Sequence, residues 1–167
     1  EAGRIEHGEH LTEREQTPLL ELLEACILRT NQRLESVRQV RLVNETGVAD
    51  PVIQTDPVAL EVVLLNLLDN ATKYSAAPSP VTVRFFRQPK ASIIEISDAG
   101  IGIEERELKK VFRRFYRVGD GKHTGSPRGT GLGLHVVKAL VKRMNGRVSA
   151  LSPGPGQGTT FRVELPR

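Results

Sequence analysis

The sequence predicts an α+β sandwich, with three longer helices packed on one face of a mixed sheet of about five strands. Three observations lead there. Three stretches carry apolar residues at helical spacing. Five or six short stretches alternate apolar and polar residues. Most of these short stretches are joined closely enough to form antiparallel hairpins, while the helical ones are not segregated into a bundle. The chain has 167 residues, 38% hydrophobic and 26% charged. That is the composition of an ordinary globular domain with room for one sizeable core.

Residues 1–16 are polar and without a clear period, and read as a linker from a preceding helix. Thr17-Pro18 supplies a helix cap followed by a proline at the first helical position. Leu19, Leu23, Cys26, Ile27, Thr30 and Leu34 then recur at helical spacing. Val40 and Leu42 mark a strand that ends before Asn44. Asp56-Pro57 repeats the cap-plus-proline signal and opens a helix to about Tyr74, apolar on most faces and so expected to be buried. Val81, Val83 and Phe85 alternate as a strand, Gln88-Pro89-Lys90 turns, and Ile94 and Ile96 lead a second strand into Asp98. Leu108, Val111, Phe112 and Phe115 predict a short amphipathic helix with both phenylalanines in the core. Residues 118–128 are basic and glycine-containing and read as a mobile loop. Leu134 to Met144 is helical and stops at Asn145-Gly146. Val148 to Leu151 and Phe161 to Leu165 close the chain as a hairpin.

Composition narrows the function. A single cysteine, Cys26, excludes an internal disulfide and a cysteine-clustered zinc site. It reads as a buried small hydrophobe. No apolar run approaches the roughly 20 residues of a spanning helix. Cations concentrate between Arg106 and Arg128, but aromatic content is 4% and tryptophan is absent. A base-stacking surface for nucleic acid is therefore not expected.

Four motifs carry chemistry. In NLLDNATKY, residues 66–74, the spacing of Asn66, Asn70 and Lys73 places all three on one helical stripe. Buried amides without partners are costly, and an amide oxygen is a hard ligand suited to Mg²⁺. The blander explanation is that the asparagines bond to backbone and Lys73 reaches solvent. In DAGIGI, residues 98–103, Asp98 ends an apolar strand, and Gly100 and Gly102 let a flat ligand approach the backbone. A carboxylate only accepts hydrogen bonds, so it would take the exocyclic amino group of adenine and repel the carbonyl guanine has there. A turn aspartate is the common alternative. In FRRFYR, residues 112–117, Arg117 is the candidate phosphate contact among several cations. In GTGLGL, residues 129–134, Gly129, Gly131 and Gly133 precede a helix, an arrangement that binds phosphate. A dinucleotide-binding fingerprint fails here, because a basic loop, not a strand, comes before it.

In this order the motifs resemble the N, G1, F and G2 boxes of bacterial sensor histidine kinases, in the wider group with gyrase, the ninety-kilodalton heat-shock chaperone and MutL. The resemblance spans about residues 11–166. It implies the Bergerat fold with a flexible ATP lid, an ATP-binding catalytic domain over residues 17–167, and ATP and Mg²⁺ as cofactors. By position, Asn70 resembles the magnesium ligand. Asn66, Lys73 and Tyr74 resemble residues near the phosphates, and Asp98, with Gly100 and Gly102, the adenine-recognising group. Arg117 resembles the lid-side phosphate contact. Gly129, Thr130, Gly131, Leu132 and Gly133 match the second lid hinge, and Thr159 resembles a threonine that helps hold adenine. Relatives that hydrolyse ATP have a glutamate where this chain has Asn66, and an amide cannot act as a general base. Slow hydrolysis is the expectation.

The resemblance further implies transfer of the γ-phosphoryl group to a histidine on a separate dimerisation domain of the same parent. A response regulator would lie downstream. The location implied is cytoplasmic, in a parent that can be anchored in the inner membrane. The start, Glu1-Ala2-Gly3-Arg4, resembles the end of that dimerisation domain. His7 and His10 do not match the acceptor motif, so this piece is expected to lack its acceptor. It is also expected to be monomeric, without direct contact to nucleic acid or membrane. Two alternatives stay open: a serine kinase of the anti-sigma-factor type, and a non-catalytic nucleotide-binding signalling module.

Overall fold

The structure, a computed structural model, describes residues 13–34, 40–76, 78–118 and 131–167. In chain order the elements are β1 (Glu15–Pro18), α1 (Leu19–Arg33), β2 (Val40–Asn44), β3 (Val52–Thr55) and α2 (Pro57–Lys73). They continue with β4 (Val81–Gln88), β5 (Ala91–Asp98), a 3₁₀ turn (Glu105–Glu107), α3 (Gly133–Arg143), β6 (Arg147–Leu151) and β7 (Thr159–Pro166). Five strands form one mixed sheet in the order β2-β4-β5-β7-β6. Only β2 and β4 run parallel; the other pairs are antiparallel. This is the expected α+β sandwich. All three helices lie against the same face, α2 in the middle touching both other helices and strands β4 and β5.

The core follows from alternation. On β5, Ile94 and Ile96 point to the helices, meeting Leu60, Leu64 and Leu67 of α2 in one buried cluster with Val83, Phe85 and Val163. The α2 helix is not buried all round: Val58 and Val62 form an exposed edge. Its expected cap is present, with Asp56 Oδ1 accepting from the Ala59 N–H at 3.0 Å. At the end of α3, Asn145 adopts a positive φ of 58°. The Gly146 N–H then reaches Val141 O and the Asn145 N–H reaches Lys142 O, the paired bonds of a Schellman stop.

The reverse face of the sheet carries a buried carboxylate. Glu95 on β5 stands in register between Arg84 on β4 and Arg162 on β7. Arg84 Nη2 and Arg162 Nε donate to its two oxygens at 2.6 and 2.7 Å. Burial alone would raise this carboxyl, but the hydrogen bonds from Arg84 and then Arg162 outweigh it and hold Glu95 below the ordinary carboxylate value. A folded-state value below the unfolded one gives stability that is full above the unfolded value and lost as pH falls through the folded one. Glu95→Gln is therefore expected to flatten the acid limb of a stability-against-pH curve. An unchanged limb on acid titration of the unfolding midpoint would contradict this.

Three sequence expectations are corrected. Thr17 does not cap α1; its hydroxyl donates to Glu15 O, and Pro18 occupies the cap position. The reason is that residues 15–18 form β1, paired antiparallel with β3, and the first helical N–H, of Leu19, bonds to Pro51 O at 2.9 Å. Pairing thus begins two residues before the boundary expected at 17. The segment after Glu104 is not an amphipathic helix. Its bonds run from residue 110 to 107, 113 to 110 and 116 to 113, mostly a three-residue repeat, with one four-residue bond from 111 to 107. At three residues per turn Leu108 and Val111 share a face, and Phe112 and Phe115 would share another, but the repeat breaks at Phe115, whose φ is 60°. That backbone turn takes Phe115 out of the core, 62% exposed, whereas Phe112 is buried as expected. Cys26 is also buried as expected, and burial pushes its thiol up to about 11, so it stays protonated. The basic loop and the sequence before Glu13 lie almost wholly outside the described residues.

Candidate functional site

The helix face of the sheet leaves a cleft at the C-terminal ends of α2 and β5. Asn70 and Tyr74 of α2, Asp98 at the end of β5, and Gly102 line one side. Tyr116, Arg117, Gly131, Gly133 and Leu134 line the other, with Thr159 of β7 at the base. Residues distant in sequence thus converge because β5 and β7 are neighbours, placing Thr159 directly opposite Asp98.

Asp98 is fixed by its own loop: its Oδ1 accepts from the Gly100 N–H at 2.8 Å. Gly100 has no alternative there, since a Cβ would sit 2.1 Å from Tyr74 O. The same carbonyl accepts from the Ile101 N–H at 3.1 Å, tying the strand end to the end of α2. Gly102 takes a positive φ of 67° and would place a Cβ 2.1 Å from Gly154 O. The glycines therefore serve close backbone contact between loops as well as an open floor. The Asn70 side chain makes no hydrogen bond to another described residue, and it faces the cleft. Its own backbone carbonyl is occupied, accepting from Tyr74 N at 3.0 Å.

The opposite wall is the start of α3. Leu132 takes the cap position and makes no side-chain cap, so the first N–H groups of the helix are not satisfied by a capping residue. Gly133 and Leu134 bring this helix end to the cleft, where its dipole favours an anion. Arg117, exposed, adds a cation on the same side. Tyr116 is fixed beside it, its hydroxyl donating to Glu107 Oε1 at 2.7 Å. Phe115, though solvent-exposed, joins the described segments on either side of residues 119–130: its N–H donates to Gly131 O at 3.0 Å, and its φ is 60°.

Two residues of the helical stripe stand apart from the lining. Lys73 forms an ion pair with Asp69 at 2.6 Å, and Asn66 Nδ2 donates to Val62 O at 2.8 Å. Asn66 instead lies beneath the start of α3, where a Cβ on Gly133 would come within 2.9 Å of its Oδ1. Gly100 and Leu132 shape the walls without lining them, and Gly129 and Thr130 lie outside the described residues. Sequence reading missed the apolar walls, Ile101, Ile103, Val111, Val118, Leu134 and Phe161. Their hydrophobicity signals core as readily as lining. It also missed Tyr116, although the FRRFYR motif contains it.

Comparison with known proteins agrees with this geometry. Residues 55–167 match the family described as histidine kinase-, DNA gyrase B- and HSP90-like ATPases. The sensor protein KdpD of Clostridium acetobutylicum is 36% identical over 115 residues, covering 69% of this chain and 13% of that protein. The sensor protein RprX of Bacteroides fragilis is 37% identical over 131 residues, covering 75% of this chain and 24% of that protein. The chain thus spans less than a quarter of the length of these relatives. Among solved structures, a mycobacterial sensor histidine kinase, MprB, superposes with a TM-score of 0.77 at 29% identity, covering 92% of this chain and 97% of that one. The full-length histidine kinase ShkA, solved in complex with AMPPNP, superposes with a TM-score of 0.78 at 23% identity, covering 92% of this chain and 31% of that one; that likeness shows the fold. The chain belongs to the histidine kinase-, gyrase B- and HSP90-like ATPase family, as an ATP-binding domain of the sensor histidine kinase type.

Proposed function

We propose that this domain binds MgATP in the cleft and presents its γ-phosphoryl group to a histidine on a separate dimerisation domain of the same parent protein, upstream of a response regulator. One observation supports this most: a carboxylate, an amide without a partner among the described residues, a cation and a helix N-terminus line a single cleft. Asp98 at the floor suits adenine. A carboxylate has about four lone-pair sites, enough for the Gly100 N–H and an exocyclic amino group together. Across the cleft the α3 N-terminus and Arg117 suit the phosphates.

The residues present also fit a magnesium ion. Asn70 offers a hard amide oxygen without a partner among the described residues. No cluster of three His, Cys, Asp or Glu among the described residues could hold a metal. The fit is therefore to an ion held by one amide together with the nucleotide's own phosphates and water, a common arrangement for magnesium. Bound there, the ion would neutralise phosphate charge. The protein's part is to position the nucleotide, which is most of what phosphoryl transfer requires. Asn66, an amide, supplies no general base, so the nucleotide is kept for transfer instead of being hydrolysed.

On this reading residues 17–167 form the catalytic unit and the residues before it the connection to the dimerisation helices. Among the described residues no helix is long and apolar enough to cross a membrane. The test is to mix this chain, MgATP and the parent's isolated dimerisation domain. Acid-labile, alkali-stable phosphate on that domain is expected. Acid-stable phosphate would replace the reading with a serine kinase, and no transfer to any parent acceptor with a non-catalytic nucleotide-binding domain.

A further inference from the structure

The loop at the floor of the cleft is backed by a second loop from a different hairpin. One is the turn after β5, residues 98–103; the other is the β6–β7 turn, residues 152–158. They are joined backbone to backbone: the Gly156 N–H donates to Ile101 O at 2.6 Å and the Gly158 N–H to Gly100 O at 3.1 Å. One side chain joins them as well. Ser152 Oγ accepts from the Ile103 N–H at 3.1 Å and donates to Gly158 O at 2.7 Å. It also lies 3.2 Å from Gly154 O and 3.3 Å from Gly154 N. A hydroxyl has one proton, and the shortest contact, to Gly158 O, takes it.

The two anchored points are telling. Ile103 follows Gly102 and is itself buried in the cleft lining. Gly158 precedes Thr159, which stands opposite Asp98, and a Cβ on Gly158 would lie 2.1 Å from Asp98 O. The loops therefore touch with no slack just beyond the end of the β5–β7 ladder, so a shift of either bears on its last rung, Asp98 opposite Thr159. Ser152 itself is not in the lining.

We infer that Ser152 is a positioning residue for nucleotide-base recognition: its hydroxyl clamps the two loops that follow and precede the last rung of the β5–β7 ladder and so steadies Asp98 opposite Thr159, and with it the preference for adenine over guanine. This rests on the nucleotide-binding reading above. Removing the hydroxyl leaves the Ile103 N–H, buried beside the cleft, without its partner, so the loop must move to find another.

The experiment is calorimetric titration of the whole chain with ADP and GDP, alongside the thermal midpoint. Ser152→Ala is expected to weaken ADP binding about tenfold and to narrow the ADP-over-GDP preference, with GDP affected less. Ser152→Thr, which keeps the hydroxyl, is expected to restore both. Ser152→Cys fills the same space with a weaker donor and is expected to fall between, which covers an alanine variant that does not fold. Thr30→Ala is the stability control, losing the buried Thr30 Oγ1 bond to Cys26 O on α1, away from the cleft. Unchanged ADP and GDP affinities in Ser152→Ala and Ser152→Cys would overturn the inference. So would equal losses for the two nucleotides, or the same loss of preference in Thr30→Ala at a matched drop in midpoint. Failure of the unaltered chain to bind ADP would instead overturn the nucleotide-binding reading itself.

Discussion

Replacing Asp98 by asparagine is expected to weaken adenine-nucleotide binding about 100-fold and to shift the preference toward guanine. The substitution keeps the shape of the side chain, and its amide oxygen can still accept from the Gly100 N–H that Asp98 Oδ1 holds at 2.8 Å. The turn therefore survives. What changes is the group offered to the base. A carboxylate presents acceptors alone, whereas the amide presents two N–H donors. An adenine amino group would then meet a donor, and the guanine carbonyl would meet one too, to its advantage. Titration of wild type and variant with ADP and GDP measures both changes. Equal losses for the two bases would mean that Asp98 serves only the loop, with no part in choosing the base.

The second large effect is at Asn70. Asn70→Ala is expected to remove the magnesium-dependent part of nucleotide affinity, about 100-fold or more, since even groups that only support a metal ligand are worth 10–100-fold. The change should leave the fold intact. Alanine is the better helix former, and the bond from Tyr74 N to Asn70 O is made by backbone. Affinity measured with Mg²⁺ should fall to the value that wild type shows in the presence of a chelator. Retained magnesium dependence would place the ion's protein ligand elsewhere.

Much of this was legible in the sequence, and what was not has physical reasons. The α2 helix was readable because Asp56-Pro57 states its start and its apolar residues recur at helical spacing. The β5 strand and its Asp98 end were readable because Ile94 and Ile96 alternate into a glycine turn. The β1–β3 pair was not, because each strand has four residues. Thr17-Pro18 also carries a cap signal that tertiary pairing overrides. Phe115 misled because periodicity presumes an unbroken helix, while the backbone turns at Phe115 with a positive φ of 60°. At the site, the convergence of Asn70, Asp98, Arg117 and Gly133 follows the motifs. Lys73 is drawn to Asp69, and the acid four residues before it on the same helix was the local signal for that pair. Ser152 is silent for another reason: its partners, Ile103 and Gly158, are backbone groups, and their meeting depends on two hairpins packing side by side.

The central claim is that the cleft holds a magnesium–adenine nucleotide. Calorimetric titration of this chain with ADP and a non-hydrolysable ATP analogue, with and without Mg²⁺ and with GTP as control, tests it most directly. The account predicts saturable one-to-one binding of the adenine nucleotides, tightened by Mg²⁺, with GTP much weaker. Absence of binding, or equal affinity for GTP, would contradict it.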